Sequence, residues 1–233
     1  MPDSGVLVQK YNGDDSRFSV NKKEILRYAG YFKADIELDD EMEKILNQVI
    51  DEANSKISYK ACYRRLDLKW EEDMPQLPFE NNSKKIAEFL KGSDELVMFA
   101  ATIGLDIDRL IARYQRVSPV KALFLQAYGA ERVECLCDVF CDEFKEKAAL
   151  ESKGCTLRYS PGYGELPLER QVDYFNLLEC NRHIGISLNE SLLMTPSKSV
   201  TAMFGIGQVC SGEARHTCSN CNKTDCEYRN CRN

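Results

Sequence analysis

The chain has 233 residues, enough for one large domain or two small ones, and 43% hydrophobic residues, the balance of a soluble globular protein. A formal net charge of -6 with no basic block argues against nucleic acid and acidic membrane surfaces as partners. No apolar run is long enough to cross a bilayer, and the opening MPDSGVLVQKYNGDD lacks the basic and apolar regions of an export signal, so a cytoplasmic protein is expected.

Asn21 followed by Glu24 is a capping-box signal for a short helix carrying Ile25, Leu26 and Tyr28 and stopped by Gly30. From a cap at Asp39 or Asp40, Met42, Ile45, Leu46, Val49, Ala53 and Ile57 recur at helical steps and mark one core-facing stripe. Tyr59, Ala61, Tyr63, Leu66, Leu68 and Trp70 alternate with polar residues, so Ser58 to Trp70 reads as a strand with a bulge where the phase slips. After the loop MPQLPFENNS comes a short helix with Ile86, Phe89 and Leu90, ending at Gly92. ELVMFAATIG is then a continuous apolar run that suits a buried strand. Ile107, Leu110, Ile111 and Tyr114 predict one helix. Val133, Leu136, Cys137, Phe140 and Phe144 predict a longer one ending near Ala149, on which Cys137, like Cys62 in the preceding strand, reads as a small buried thiol. Leu168, Val172, Phe175 and Leu178 form the stripe of a further helix, and SVTAMFGIGQV reads as a strand.

Chemistry-bearing residues are few. RYSPGYG, from Arg158 to Gly164, joins a guanidinium, a Pro-Gly turn and a phenol: Pro161 fixes its own φ and Gly162 accepts the positive φ of a type II turn. Arg158 and Tyr163 are thereby expected to face one place, which suits a small ligand with a carboxylate and a flat or cationic part; the plainer reading is a surface turn with a solvated arginine. On the long helix, Glu134 and Asp138 stand one turn apart on one face, where like charges repel unless a cation sits near them. The plainer reading of that pair is a solvated acidic face, unless the turn folds back over the helix. Only His183 and His216 exist, and neither lies beside a nucleophile elbow or a metal-ligand pair. FGIGQVCSG lacks the GxGxxG spacing, which disfavours a Rossmann-type methyltransferase or dehydrogenase, and there is no P-loop.

Five of the eleven cysteines crowd the C-terminal end. The set Cys218, Cys221, Cys226 and Cys231 lies on a polar segment, and thiolates so spaced suit tetrahedral zinc or an iron-sulfur cluster, although the spacing matches neither common ferredoxin pattern. A reduced free tail and a regulatory disulfide are the alternatives, with Cys210 and His216 as substitute ligands.

RYSPGYG together with IGISLNESLLMTPSKSV resembles the activation (reactivation) domain of cobalamin-dependent methionine synthase. The family's Arg-x-x-x-Gly-Tyr turn falls on Arg158, Gly162 and Tyr163, and its later run on Leu188, Glu190, Ser191, Met194, Pro196, Ser199 and Val200. The resemblance spans roughly residues 20 to 209, which divides the chain into an AdoMet-binding domain over 1–209 and a cysteine-rich tail over 210–233. It implies an α+β fold, a mainly antiparallel twisted sheet with surrounding helices. It further implies binding of S-adenosyl-L-methionine (AdoMet), whose methyl goes to a cobalamin carried by a partner methionine synthase or corrinoid protein, with a flavodoxin-like or ferredoxin-like reductant. Arg158 is then expected to hold the AdoMet carboxylate, Tyr163 to pack on the ligand, Ser160 and Gly162 to offer backbone contacts, and Glu134 to face the amino group or sulfonium. No Asp-x-His-x-x-Gly cobalamin-ligand motif occurs, and Phe204 stands where the resemblance leads one to expect a hydroxylated aromatic. The competing expectation is an iron-sulfur or corrinoid-activating protein in which the cysteine tail carries the redox step; a module that has kept the fold and lost AdoMet is a third.

Overall fold

The computed structural model describes residues 5–31 and 38–208. Five strands form one antiparallel sheet in the order β1-β2-β5-β9-β6, with β1 at Leu7–Lys10, β2 at Lys60–Asp67, β5 at Ser93–Thr102, β6 at Gly154–Cys155 and β9 at Ser199–Gly207. The short pairs β3 (Trp70–Glu71) with β4 (Met74–Pro75), and β7 (Ser187–Leu188) with β8 (Met194–Thr195), stand apart from it. This is the expected α+β class with an antiparallel sheet.

Both faces of the sheet are covered, which explains the unbroken apolar run of β5. Val97, Phe99 and Ala101 point to one core, while Leu96, Met98 and Ala100 point to the other. The first core is built with helices α1 (Lys22–Tyr28), α2 (Asp40–Asn54), α4 (Asp106–Val117) and α5 (Pro119–Leu150). The second holds α3 (Lys84–Leu90), α6 (Gln171–Leu178) and α7 (Cys180–Ile184). Capping follows the sequence: Asn21, Asp39 and Ser83 accept backbone N–H groups at the starts of α1, α2 and α3.

Two expectations are corrected and one is extended. The strand expected over Ser58 to Trp70 runs only from Lys60 to Asp67; its register to β5 is unbroken where the phase slips, because Tyr63 faces the first core and Leu66 the second, and Trp70 opens the β3–β4 pair, its indole N–H donating to the Ser93 carbonyl at 2.9 Å. The irregularity in the sheet falls instead between Ser93 and Glu95 of β5. Helix α5 begins at Pro119, far ahead of the stripe that reveals it, because its first half is buried through Ala122, Phe124, Leu125, Ala127 and Tyr128. Finally, α6 is turned by about one residue from the expected stripe. It buries Gln171, Tyr174 and Leu178 and leaves Leu168 and Val172 exposed, because Tyr174 stacks on Phe79 at 6.1 Å between ring centres.

The sheet leaves little room where β9 crosses β5. A Cβ added at Gly205 would overlap Ser93 Oγ and Cβ and press on Leu90 Cδ2 at 3.2 Å, closer than van der Waals contact allows. Gly205→Ala is therefore expected to destabilise the fold by ~1–3 kcal/mol through overpacking, measured as a fall in the urea midpoint at unchanged slope.

Candidate functional site

The polypeptide after β6 runs along the sheet edge, and its alternation sets the site. Tyr159 pairs with Met203 through two backbone hydrogen bonds of 2.8 and 2.9 Å, and its ring sits on the second core against Phe89. Its neighbour Arg158 is thereby sent to the opposite face, onto α5. There Arg158 Nη2 donates to Glu134 Oε2 at 3.1 Å and to Asp138 Oδ1 at 2.9 Å. The two carboxylates one turn apart on α5 thus have the cation they require. Burial opposes the Arg158 charge, but its anionic surroundings outweigh that and hold the guanidinium protonated above its ordinary value.

The turn closes as its sequence predicts. Tyr163 N–H donates to the Ser160 carbonyl at 3.1 Å, with Gly162 at φ +84°.

Arg158, Glu134 and Asp138 line a groove of about 640 Å³ along α5. Its opposite wall is the N-terminal segment: Arg17, Ser19, Asn21, Glu24, Arg27 and Tyr28. Burial, with Glu134 nearby, pushes the Tyr28 phenol up, so it is a neutral hydrogen-bonding group at ordinary pH. The groove lining carries seven carboxylates (Glu24, Glu131, Glu134, Asp138, Asp142, Glu143, Glu146) against three arginines (Arg17, Arg27, Arg158), so its field favours a ligand with cationic parts.

A buried ion pair fixes this wall. Arg132, fully buried, pairs with Glu131 and donates to the carbonyls of Phe18 at 2.6 Å and Ser19 at 2.9 Å. Glu131 in turn accepts the Asn21 N–H at 3.2 Å, and Arg17 reaches Glu143 at 2.7 Å. Sequence reading missed this pair, although its position inside a helix apolar on nearly every side, between Tyr128, Val133 and Leu136, is the signal that could have found it.

Of the sequence-derived site residues, the structure brings Arg158 and Glu134 together in the groove. Tyr163 is 74% exposed, and neither it nor Ser160 or Gly162 lines the groove. Phe204 is buried in the first core, 5.4 Å from Phe144 between ring centres. The run containing Leu188, Glu190, Ser191 and Met194 forms the β7–β8 hairpin, where Asn189 Oδ1 accepts the N–H groups of Ser191 and Leu193. His183 lies 3.4 Å from Glu179. Cys218, Cys221, Cys226, Cys231, Cys210 and His216 lie outside the described residues, and among the described residues no cluster of His, Cys, Asp and Glu could hold a metal ion. No helix among them is long and apolar enough to cross a membrane. Burial raises the Cys137 thiol and pushes that of Cys141 up to about 12, so both stay protonated beside the groove.

An antiparallel sheet packed on both faces, with an arginine from its edge set against paired carboxylates on a central helix, defines an α+β domain with a charged groove along that helix. The model of the family described as vitamin B12 dependent methionine synthase, activation domain, matches residues 29–227, and the chain belongs to that family. The match runs beyond residue 209 into the cysteine-rich segment. Among solved structures, the fold is similar to that titled "Crystal Structure of the MetH Reactivation Domain bound to AdoHcy", with a TM-score of 0.62 and 15% identity, covering 86% of this chain and 78% of that one. No curated protein matches the chain.

Proposed function

We propose that this protein binds AdoMet in the α5 groove and supports reductive methylation of cobalamin on a separate methionine synthase or related corrinoid protein. The observation that carries the reading is the guanidinium of Arg158 set against Glu134 and Asp138, in a family whose structural neighbour was crystallised with AdoHcy. The residues present fit such a ligand. A volume of about 640 Å³ falls inside the range of small-molecule sites, roughly 300–1,000 Å³. Arg158 offers paired donors to an amino-acid carboxylate, and the two acids offer countercharge to an ammonium or sulfonium.

Arg158 bonds both acids, so ligand binding would exchange one set of charged partners for another. When bound, AdoMet supplies a methyl group with its own leaving group, and a partner's reduced cobalamin supplies the nucleophile. The chain's work is then to bind, orient and exclude water. Tyr163, Ser160 and Gly162 form the rim of the same turn and are proposed to close on the ligand's outer side. A flavodoxin-like or ferredoxin-like reductant and a cytoplasmic setting complete the reading. The alternative has Cys218, Cys221, Cys226 and Cys231, all outside the described residues, carry zinc or an iron-sulfur cluster that performs the redox step.

The test is calorimetric titration of AdoMet into the whole protein, with saturable binding expected; a well-folded protein that gives no heat of binding removes the proposal. A charge test follows. Glu134→Gln with Asp138→Asn frees Arg158 and removes countercharge from the ammonium, effects that act on AdoMet and AdoHcy alike, but it also removes countercharge from the sulfonium, which AdoMet alone carries. The ratio of AdoMet to AdoHcy affinity is therefore expected to fall about tenfold, ~1.4 kcal/mol. An unchanged ratio would mean that these acids do not face the sulfonium.

A further inference from the structure

Arg158, Glu134 and Asp138 account for one end of the proposed ligand. Its other end is adenine, a flat ring system that is uncharged at neutral pH, and a wall of carboxylates and guanidiniums gives such a ring little to lie on. Among the described residues that line the α5 groove, Tyr28 is the one aromatic side chain.

Helix α1 puts it there. Ile25 is fully buried in the first core, and Tyr28, three residues on and so close to the same face, stands where that core meets the groove, 38% exposed. The helix itself is held against α5, since Glu131 accepts the Asn21 N–H at 3.2 Å and Asn21 Oδ1 accepts the Glu24 N–H at 3.2 Å. The ring is braced as well. Glu24 Oε2 accepts from Arg27 Nε at 3.0 Å and from Arg27 Nη2 at 2.8 Å, which holds the Arg27 guanidinium over the Tyr28 ring, 4.3 Å from its centre. One face of the ring is thus covered by a cation, and its exposure belongs to the other face and the edge.

We infer that Tyr28 selects the adenine of the ligand, which stacks on the open face of its ring while the amino-acid end is held at Arg158. The inference rests on the AdoMet reading above and gives the ligand a direction in the groove, with its base toward the C-terminal end of α1. Stacking reads the flatness of a base and not its hydrogen-bonding edge, so Tyr28 discriminates against a ligand that carries the amino-acid half alone. Stacking is also indifferent to the charge on sulfur. AdoMet and AdoHcy therefore use Tyr28 equally, which separates its role from that of Glu134 and Asp138.

The experiment titrates AdoMet and AdoHcy into the whole protein and into Tyr28→Leu and Tyr28→Phe, with urea unfolding of each as control. Leucine keeps bulk against the core and removes the ring. It is expected to weaken both ligands by roughly 10- to 100-fold, the worth of one base–aromatic stack, at an unchanged ratio of AdoMet to AdoHcy affinity. Phenylalanine restores the ring and is expected to recover most of the affinity. Proton NMR supplies a readout that lost stability does not imitate: the adenine H2 and H8 resonances of bound AdoHcy are expected to move upfield in the wild type and in Tyr28→Phe, and not in Tyr28→Leu. A wild type that binds AdoHcy and shifts neither resonance overturns the inference and leaves the AdoMet reading standing, as does wild-type affinity in a folded Tyr28→Leu. Upfield shifts that survive in Tyr28→Leu and vanish in Tyr163→Ala overturn it too, and give the adenine to the exposed rim of the turn. A folded wild type that binds neither ligand removes the reading and the inference together.

Discussion

Arg158→Ala is expected to weaken AdoMet binding by about 10- to 100-fold, the loss of charge-assisted hydrogen bonds worth ~1.5–3 kcal/mol, while leaving the protein folded. The two halves of this expectation have different origins. Binding falls because the carboxylate of the ligand loses its forked donor, and the remaining acids repel it. Stability changes little because Glu134 and Asp138 are 42% and 37% exposed and return to solvent when the arginine is removed. With Arg158 itself 25% exposed and both acids more open than that, the two pairs together are worth about 1 kcal/mol. Arg158→Lys separates charge from shape: it keeps the cation but not the planar fork, and its affinity is expected to fall between wild type and alanine. Calorimetric titration of each variant, with urea unfolding as control, makes the comparison. Wild-type affinity in Arg158→Ala would place the ligand away from the α5 groove and shift attention to the exposed face of Tyr163.

How much of this site was legible in the sequence depends on how far apart its parts lie. The turn Ser160 to Tyr163 is local, and Pro161 with Gly162 states its geometry outright. Glu134 and Asp138 could be paired because helical spacing alone puts them on one face. That Arg158 reaches them required only that the turn fold back, since the separations are 24 and 20 residues. The N-terminal wall could not be read. Arg17 meets Glu143 across 126 residues and Asn21 meets Glu131 across 110, and no local pattern encodes either contact.

The fold shows the same division. β5 announced itself because a strand buried on both faces leaves an unbroken apolar run, and α5 was visible only where its burial is one-sided. The face of α6 was misread because two stripes share Leu178, and the choice between them rests on Tyr174 meeting Phe79 from a distant loop. The Arg-Gly-Tyr and Leu-Glu-Ser runs identified the family through residues that do different physical work. The first makes the turn that carries Arg158; the second makes a hairpin and delivers Ser199 and Val200 into β9.

The largest expected effect on stability belongs to a residue that touches no ligand. Arg132→Met should destabilise the protein by ~3–5 kcal/mol, because it leaves the Glu131 carboxylate, 6% exposed, without its partner and strips the carbonyls of Phe18 and Ser19 of their donor. The damage is not confined to the core. Phe18 and Ser19 lead into Asn21, whose backbone N–H is held by Glu131 and whose side chain caps α1, so the groove wall loses its anchor together with the ion pair. The decisive comparison is the double variant Glu131→Gln with Arg132→Met. If the penalty is chiefly an uncompensated buried charge, neutralising Glu131 restores much of the urea midpoint, and the shortfall that remains measures the two bare carbonyls. AdoMet binding should recover less than stability does, since the wall needs Arg132 itself to hold the Phe18–Ser19 backbone. A double variant no more stable than Arg132→Met would assign the cost to lost backbone anchoring alone and leave the ion pair with no net role.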